Sequence, residues 1–148
     1  MIRLTKIFHF EMAHAINGYQ GACKNIHGHS YELHVTVTSK NDNENYIPAP
    51  GFIIDFKEIK SLVTSSVIEI FDHKIVLSSD FISANPAFVS QGNLVTWDAE
   101  PTAENMLLFI KQTLTERLPD EVKLVQLKLF ETKDSYAEWI NDNTFNQY

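Results

Sequence analysis

The sequence is short of cysteine, of positive charge and of long apolar runs, and each shortage excludes a class of protein. Cys23 is the only cysteine among 148 residues, so no internal disulfide can form and nothing indicates an oxidising compartment. Twelve Lys and Arg stand against nineteen Asp and Glu, a formal net charge of −7, which argues against a nucleic-acid partner. Residues 1–6 are followed by no signal-peptide core, and no apolar run approaches roughly 18 residues. We therefore expect a cytoplasmic protein that binds neither nucleic acid nor membrane.

The composition is that of a folded domain. Hydrophobic residues make up 44% of the chain and aromatic residues 11%, which is enough to build a core. The length suits one domain, and we expect a single domain over residues 1–148.

Hydrophobic periodicity predicts the secondary structure. Alternation of apolar and polar residues predicts strands over residues 2–15, 27–39, 122–131 and 135–140. Helical spacing predicts one helix from an N-cap at Asp55 to about Phe71, and another that follows Thr102 and ends at Pro119. Residues 78–100 have no clear period and predict a long loop. The order β-β-α-α-β-β indicates an α+β fold, an antiparallel sheet with helices on one face, whose open edges favour self-association.

Three histidines are expected to meet at one point. His27 and His29 are two residues apart in a predicted strand, so their side chains point the same way at a separation of roughly 6–7 Å. His14 ends the preceding strand, and pairing of the two strands would bring it beside them. Three imidazoles with an open fourth position are typical of a catalytic zinc site.

Three further positions carry possible chemistry, each with an alternative. Cys23 lies in a polar loop four residues before His27, where it could act as a base or nucleophile or become a fourth zinc ligand. Asp72 and His73 end the first helix and form an acid–base pair, or His73 merely meets the negative end of the helix dipole. Glu131 continues an apolar strand face and either binds a ligand with two adjacent N–H donors or simply reaches water.

Taken together, the motifs resemble a known family. The element Cys23-x-x-x-His27-Gly28-His29 occurs together with residues 10–14 (FEMAH), 51–56 (GFIIDF), 72–73 (DH), 101–105 (PTAEN) and 131–132 (ET). This pattern is similar to the 6-pyruvoyl-tetrahydropterin synthase / 6-carboxytetrahydropterin synthase family over nearly the whole chain. The resemblance implies a tunnelling fold (T-fold), in which subunits join their sheets into a barrel. It also implies a hexamer of two stacked trimers with sites between subunits, and 7,8-dihydroneopterin triphosphate as substrate.

The resemblance also implies roles for individual residues. The positions that match the family's Zn²⁺ ligands are His14, His27 and His29. Cys23 matches the proton acceptor, Asp72 and His73 match the pair that completes the proton relay, and Glu131 matches the carboxylate that anchors the amino-pyrimidine edge of the pterin. Two residues fall in a segment that helps to line the pterin pocket, Thr102 and Glu104.

Details of spacing favour one branch of the family. Three residues separate Cys23 from His27, and residues 52–56 read FIIDF, both of which resemble the queuosine-pathway branch. We therefore expect a zinc-dependent lyase that makes 6-carboxy-5,6,7,8-tetrahydropterin and releases acetaldehyde and triphosphate. The alternatives are a synthase that forms 6-pyruvoyl-tetrahydropterin from the same substrate, a non-catalytic zinc-binding oligomer closed by Cys23, and a zinc hydrolase that uses metal-bound water.

Overall fold

The computed structural model describes residues 1–41 and 45–142. Residues 42–44 and 143–148 of the expected domain lie outside the described residues. The described chain forms a six-stranded sheet in the order β4-β3-β1-β2-β5-β6. The strands are β1 (Arg3–His14), β2 (His27–Ser39), β3 (Lys74–Ser78), β4 (Leu94–Trp97), β5 (Val122–Thr132) and β6 (Ser135–Ile140).

Four α-helices accompany the sheet. They are α1 (Phe56–Val63), α2 (Glu69–Phe71), α3 (Ser79–Ala84) and α4 (Ala103–Arg117). A π-helical turn at Thr64–Ile68 joins α1 to α2, and 3-10 turns occupy Ala22–Lys24 and Pro86–Ser90. In the described part of the chain, none of the helices has the length and apolar character needed to cross a bilayer.

The predicted strands and the two long helical segments are confirmed. β1 and β2 pair antiparallel from Arg3↔Thr38 to His14↔His27, and β5 pairs antiparallel with both β2 and β6. Asp55 caps α1 by accepting a hydrogen bond from the backbone N–H of Lys57 at 2.8 Å. The hydroxyl of Thr102 caps α4 in the same way.

The prediction of a purely antiparallel four-stranded sheet is wrong, and so is the predicted loop over residues 78–100. β3 pairs parallel to β1, and β4 parallel to β3, so the sheet has six strands and is mixed. The predicted loop instead holds the last residue of β3, helix α3, a 3-10 turn and β4. Residues 75–77 form a short apolar run in a sheet region packed on both sides, where alternation disappears and a strand gives no period-2 signal.

The main core lies between one face of the sheet and helices α1, α2 and α4. Tyr31, Leu33, Ile59 and Ile110 are among its fully buried side chains, and each such burial contributes about 1.5–3 kcal/mol. A second, smaller cluster of buried residues comprises Ala15, Leu77 and Phe81, with Ile26 and Phe88 packed against it. These last contacts join α3 and its 3-10 turn to the segment between β1 and β2.

Candidate active site

Three imidazole rings converge at the end of the β1–β2 pair. The antiparallel register sets His14 opposite His27, and His29 follows on the same face of β2. The ring centroids lie 4.6 Å apart for His14 and His27, 4.9 Å for His27 and His29, and 5.3 Å for His14 and His29. Glu131 reaches the same point from β5. One donor atom from each of the four side chains lies within 4.8 Å of all the others.

Backbone carbonyls fix the orientation of two of the rings. The Nδ1–H of His14 donates to the carbonyl oxygen of Pro101 at 2.7 Å, and the Nδ1–H of His27 donates to that of Asn25 at 2.8 Å. In the neutral rings, the Nε2 atoms then carry lone pairs, and these two atoms face each other at 3.2 Å. Burial lowers the pKa of His29, which favours its neutral form as well. In His14 and His27, one ring nitrogen donates to a carbonyl oxygen and the other carries a lone pair directed at the cluster. Metal-binding histidines adopt this arrangement.

The Glu131 carboxylate adds a fourth acceptor to the cluster. Its Oε1 atom lies 3.1 Å from Nε2 of His14 and 3.0 Å from Nε2 of His29. The contact with the His14 ring is the main cause of the lowered pKa of Glu131. The contact with His29 lacks hydrogen-bond geometry, so its buried Nε2 has no hydrogen-bond partner among the described residues.

These observations fit a divalent cation at the centre of the cluster. Three ring nitrogens and one carboxylate oxygen form a set of acceptors that a single positive ion satisfies at once. Zn²⁺ takes such nitrogen and oxygen ligands in tetrahedral sites. The four residues therefore form a group that could bind a metal.

Tyr31 is a neighbour of this cluster to which the sequence pattern gave no role. Its side chain is fully buried, and its ring stacks on Phe10 with centroids 5.0 Å apart and an angle of 6° between the planes. Its edge meets the ring of His29 at 5.6 Å. The hydroxyl has no hydrogen-bond partner among the described residues. Burial, and then the nearby Glu131 carboxylate, raise the pKa of Tyr31 far above its usual range.

Comparison with known proteins identifies the family. The sequence profile of the 6-pyruvoyl tetrahydropterin synthase family matches residues 3–141. The chain belongs to this family. A 6-carboxy-5,6,7,8-tetrahydropterin synthase from Rickettsia bellii is 34% identical over 142 residues, which cover 93% of this chain and 99% of that protein. A protein of the same name from Haemophilus influenzae is 28% identical over 94% of this chain and 99% of its own.

Solved structures support the same fold. An uncharacterised protein from Wolinella succinogenes superposes with a TM-score of 0.77 at 18% identity, covering 95% of this chain and 98% of its own. The 6-pyruvoyl tetrahydropterin synthase of Caenorhabditis elegans superposes with a TM-score of 0.65 at 18% identity, covering 95% of each chain. The T-fold expected from the resemblance is thereby confirmed for this member of the 6-pyruvoyl tetrahydropterin synthase family.

Cys23 lies outside the converging donor atoms of this family member. It sits in the 3-10 turn Ala22–Lys24 and is exposed. Its backbone carbonyl accepts a hydrogen bond from the N–H of Ile16 at 2.8 Å, which closes the loop between β1 and β2. In the described parts of the chain, the group that could hold a metal includes no cysteine sulfur, so the geometry favours a free thiol over a fourth sulfur ligand.

Asp72 and His73 form a pair beside the middle of the sheet. Asp72 Oδ1 accepts a hydrogen bond from the backbone N–H of Glu11 at 2.9 Å and lies 2.9 Å from His73 Nδ1. The first of these contacts is the main cause of the lowered pKa of Asp72. His73 has a φ of 58° and a side chain that is 79% exposed. The backbone contact to Glu11 holds the pair beside β1, and His73 and His29 line the same surface pocket.

The two residues expected to line the pterin pocket have different surroundings. Thr102 accepts a hydrogen bond from the N–H of Asn105 at 3.3 Å as the N-cap of α4, and Glu104 is exposed in the first turn of that helix. The preceding Glu100, which the sequence pattern missed, accepts a hydrogen bond from the N–H of Asn17 at 2.8 Å. This contact ties the loop that carries Cys23 to the start of α4.

Proposed function

We propose that the chain is a zinc-dependent lyase that converts 7,8-dihydroneopterin triphosphate into 6-carboxy-5,6,7,8-tetrahydropterin, with release of acetaldehyde and triphosphate. The observation that carries the proposal is the cluster of three imidazoles and one carboxylate in a chain of this family. The name shared by the Rickettsia and Haemophilus relatives favours the carboxy product over the pyruvoyl product. The pathway served is then queuosine biosynthesis.

The metal ligands in this proposal are His14, His27 and His29. Two backbone carbonyl oxygens accept from the Nδ1–H groups of His14 and His27. These bonds keep both rings in the tautomer whose Nε2 atom can bind a metal. Imidazole donors suit zinc among the divalent metals available to a cell. When bound, zinc supplies Lewis-acid polarisation of the oxygens on the substrate side chain.

The remaining residues bind the pterin and move protons. The Glu131 carboxylate accepts two N–H bonds from the amino-pyrimidine edge, which fixes the ring. The Cys23 thiolate removes a proton from the carbon next to an acidified side-chain hydroxyl. The Asp72 carboxylate holds the Nδ1–H of His73, so the other ring nitrogen exchanges a proton with the substrate side chain. Thr102 and Glu104 help to line the pterin pocket.

The proposed unit is a cytoplasmic homohexamer, a dimer of trimers, of one 148-residue domain that binds neither nucleic acid nor membrane. The side chain of His73 is 79% exposed in the single chain and therefore open to contact with a second copy, which supports sites built between subunits. The two edge strands of the sheet, β4 and β6, offer backbone groups for pairing with other copies. Light scattering on the purified protein measures the assembly directly, and a monomer would contradict it.

Product analysis tests the proposed reaction. Purified zinc-loaded protein is given 7,8-dihydroneopterin triphosphate, and acetaldehyde, triphosphate and the pterin product are measured. We expect acetaldehyde and the carboxy product in equal amounts, and no turnover in a His29→Ala control. The pyruvoyl product alone would establish the runner-up activity, and no product at all would favour the non-catalytic zinc-binding oligomer.

A further inference from the structure

We infer that the Tyr31 hydroxyl is a positioning group for Glu131, to which it donates the hydrogen bond that orients this carboxylate toward a bound pterin. The inference rests on the proposed role of Glu131 as the pterin anchor. This role goes beyond the packing of Tyr31 in the core and its contact with His29.

The strand register brings the two residues together. β2 pairs with β5 through Leu33↔Leu129 and Glu32↔Phe130. The pairing ends there, and continuing the same register by one residue on both strands places Tyr31 opposite Glu131. Side chains directly opposite in an antiparallel pair have Cβ atoms roughly 4.5–5.5 Å apart and share one face of the sheet. Glu131 is therefore the cross-strand neighbour of Tyr31.

The hydroxyl of Tyr31 is a donor in need of an acceptor. The residue has no exposed surface, and its hydroxyl has no hydrogen-bond partner among the described residues. A buried hydroxyl without a partner costs about 1–3 kcal/mol. The stacked Phe10 ring holds the phenol in place, so the hydroxyl cannot swing out to water.

Glu131 needs another hydrogen-bond donor when a metal binds the histidine nitrogens that now contact it. Its Oε1 atom lies beside Nε2 of His14 and of His29 at 3.1 and 3.0 Å. These are the nitrogens that the proposed metal would use. Once the histidine nitrogens bind the metal, they can no longer donate a hydrogen bond to Glu131. The buried Tyr31 hydroxyl on the opposite strand is then the donor beside the carboxylate.

A double-mutant cycle tests this assignment. The zinc-loaded wild type, Tyr31→Phe, Glu131→Gln and the double variant are titrated with neopterin, an oxidised pterin that cannot react, by calorimetry. Tyr31→Phe removes one oxygen atom and keeps the ring. We expect it to weaken neopterin binding roughly tenfold, the value of a hydrogen bond to a charged group, but to have little effect in the Glu131→Gln background. Zinc content should stay at the wild-type value in Tyr31→Phe.

The cycle separates positioning from packing. An equal loss of affinity in both backgrounds, or no loss in either, would overturn the inference. A merely structural role predicts a changed melting temperature with unchanged neopterin affinity, whereas we expect a loss of neopterin affinity that depends on Glu131. Tyr136→Phe, at a residue that is 50% exposed, is the matched control and should bind as the wild type does. Failure of the wild type to bind neopterin would overturn the role of Glu131 itself, and the inference with it.

Discussion

At the residue scale, the site shows how closely sequence spacing and side-chain direction are linked. His27 and His29 share a face because strand side chains alternate, and His14 joins them because β1 and β2 pair from end to end. Both conditions were visible in the sequence. The carbonyl of Pro101, which fixes the His14 ring from 87 residues away, was not visible, since every residue has a carbonyl and no side-chain pattern marks one. The Tyr31 hydroxyl, which has no hydrogen-bond partner in residues 1–41 and 45–142, could not be identified from the sequence either.

Replacement of Cys23 distinguishes the role of proton acceptor from that of metal ligand. Because its sulfur lies outside the converging donor atoms, Cys23→Ala should leave the zinc stoichiometry unchanged. Turnover should fall roughly 10²–10⁴-fold, the usual contribution of a positioned proton acceptor. Metal analysis and single-turnover product formation measure the two effects on the same sample. Loss of zinc together with the thiol would instead indicate a closed structural site, and undiminished turnover would favour a hydrolase that uses metal-bound water.

Asp72 should make stability depend on pH in a defined direction. The backbone N–H of Glu11, and then His73, hold the pKa of this carboxyl below its usual range. Its stabilising effect is therefore present above the unfolded pKa of about 3.9 and is lost as the pH falls through the lower folded value. Asp72→Ala should cost no more than about 1 kcal/mol at pH 7, because solvent screens this partly exposed group.

Urea unfolding of the metal-free protein at several pH values measures this effect. The difference between the wild type and Asp72→Ala should shrink as the pH falls below about 4. Glu69→Ala, at an exposed carboxylate of helix α2, which ends just before Asp72, should show little difference at any pH. A difference between the wild type and Asp72→Ala that grows toward low pH would contradict the contacts described for Asp72.

At the element scale, the segment between α2 and α4 is where sequence reasoning failed. β3 has five residues and β4 four, too few for a period to emerge, and both pair in parallel, which requires partners far apart in the chain. The longer β1, β2 and β5 were predictable because each keeps one face toward the helices. The segment also contributes Leu77 and Phe81 to the small second cluster. This cluster lies outside the main core and packs against Ile26, in the loop that carries Cys23.

Phe88 allows that bracing role to be measured. Its ring meets that of Phe81 at 5.9 Å, and Ile26, the residue before His27, packs against the same cluster. Phe88→Ala should loosen the loop, raise the rate at which a thiol reagent labels Cys23 severalfold, and destabilise the fold by about 1–2 kcal/mol, less than a fully buried Phe→Ala change. Val89→Ala, at a side chain that is 62% exposed, is the control. Equal labelling rates in both variants and the wild type would show that the cluster does not brace the loop.

At the scale of the whole molecule, the sheet has the open edges that the sequence predicts. The sequence predicted a sheet with open edges, and the larger mixed sheet still ends in two edge strands, β4 and β6. One chain brings together the three histidines and Glu131, but it leaves Asp72 and His73 beside Glu11. The bond between Asp72 and the backbone of Glu11 joins residues 61 positions apart in the chain, a contact that no periodicity in a single sequence could reveal.

The most direct test of the account is X-ray absorption at the zinc edge of the zinc-loaded wild-type protein. Three histidines around one ion, with the Cys23 thiol uncoordinated, predict only nitrogen and oxygen neighbours at about 2.0–2.2 Å, together with the outer-shell scattering of imidazole rings. A sulfur neighbour at about 2.3 Å, or a protein that retains no zinc after dialysis, would contradict it.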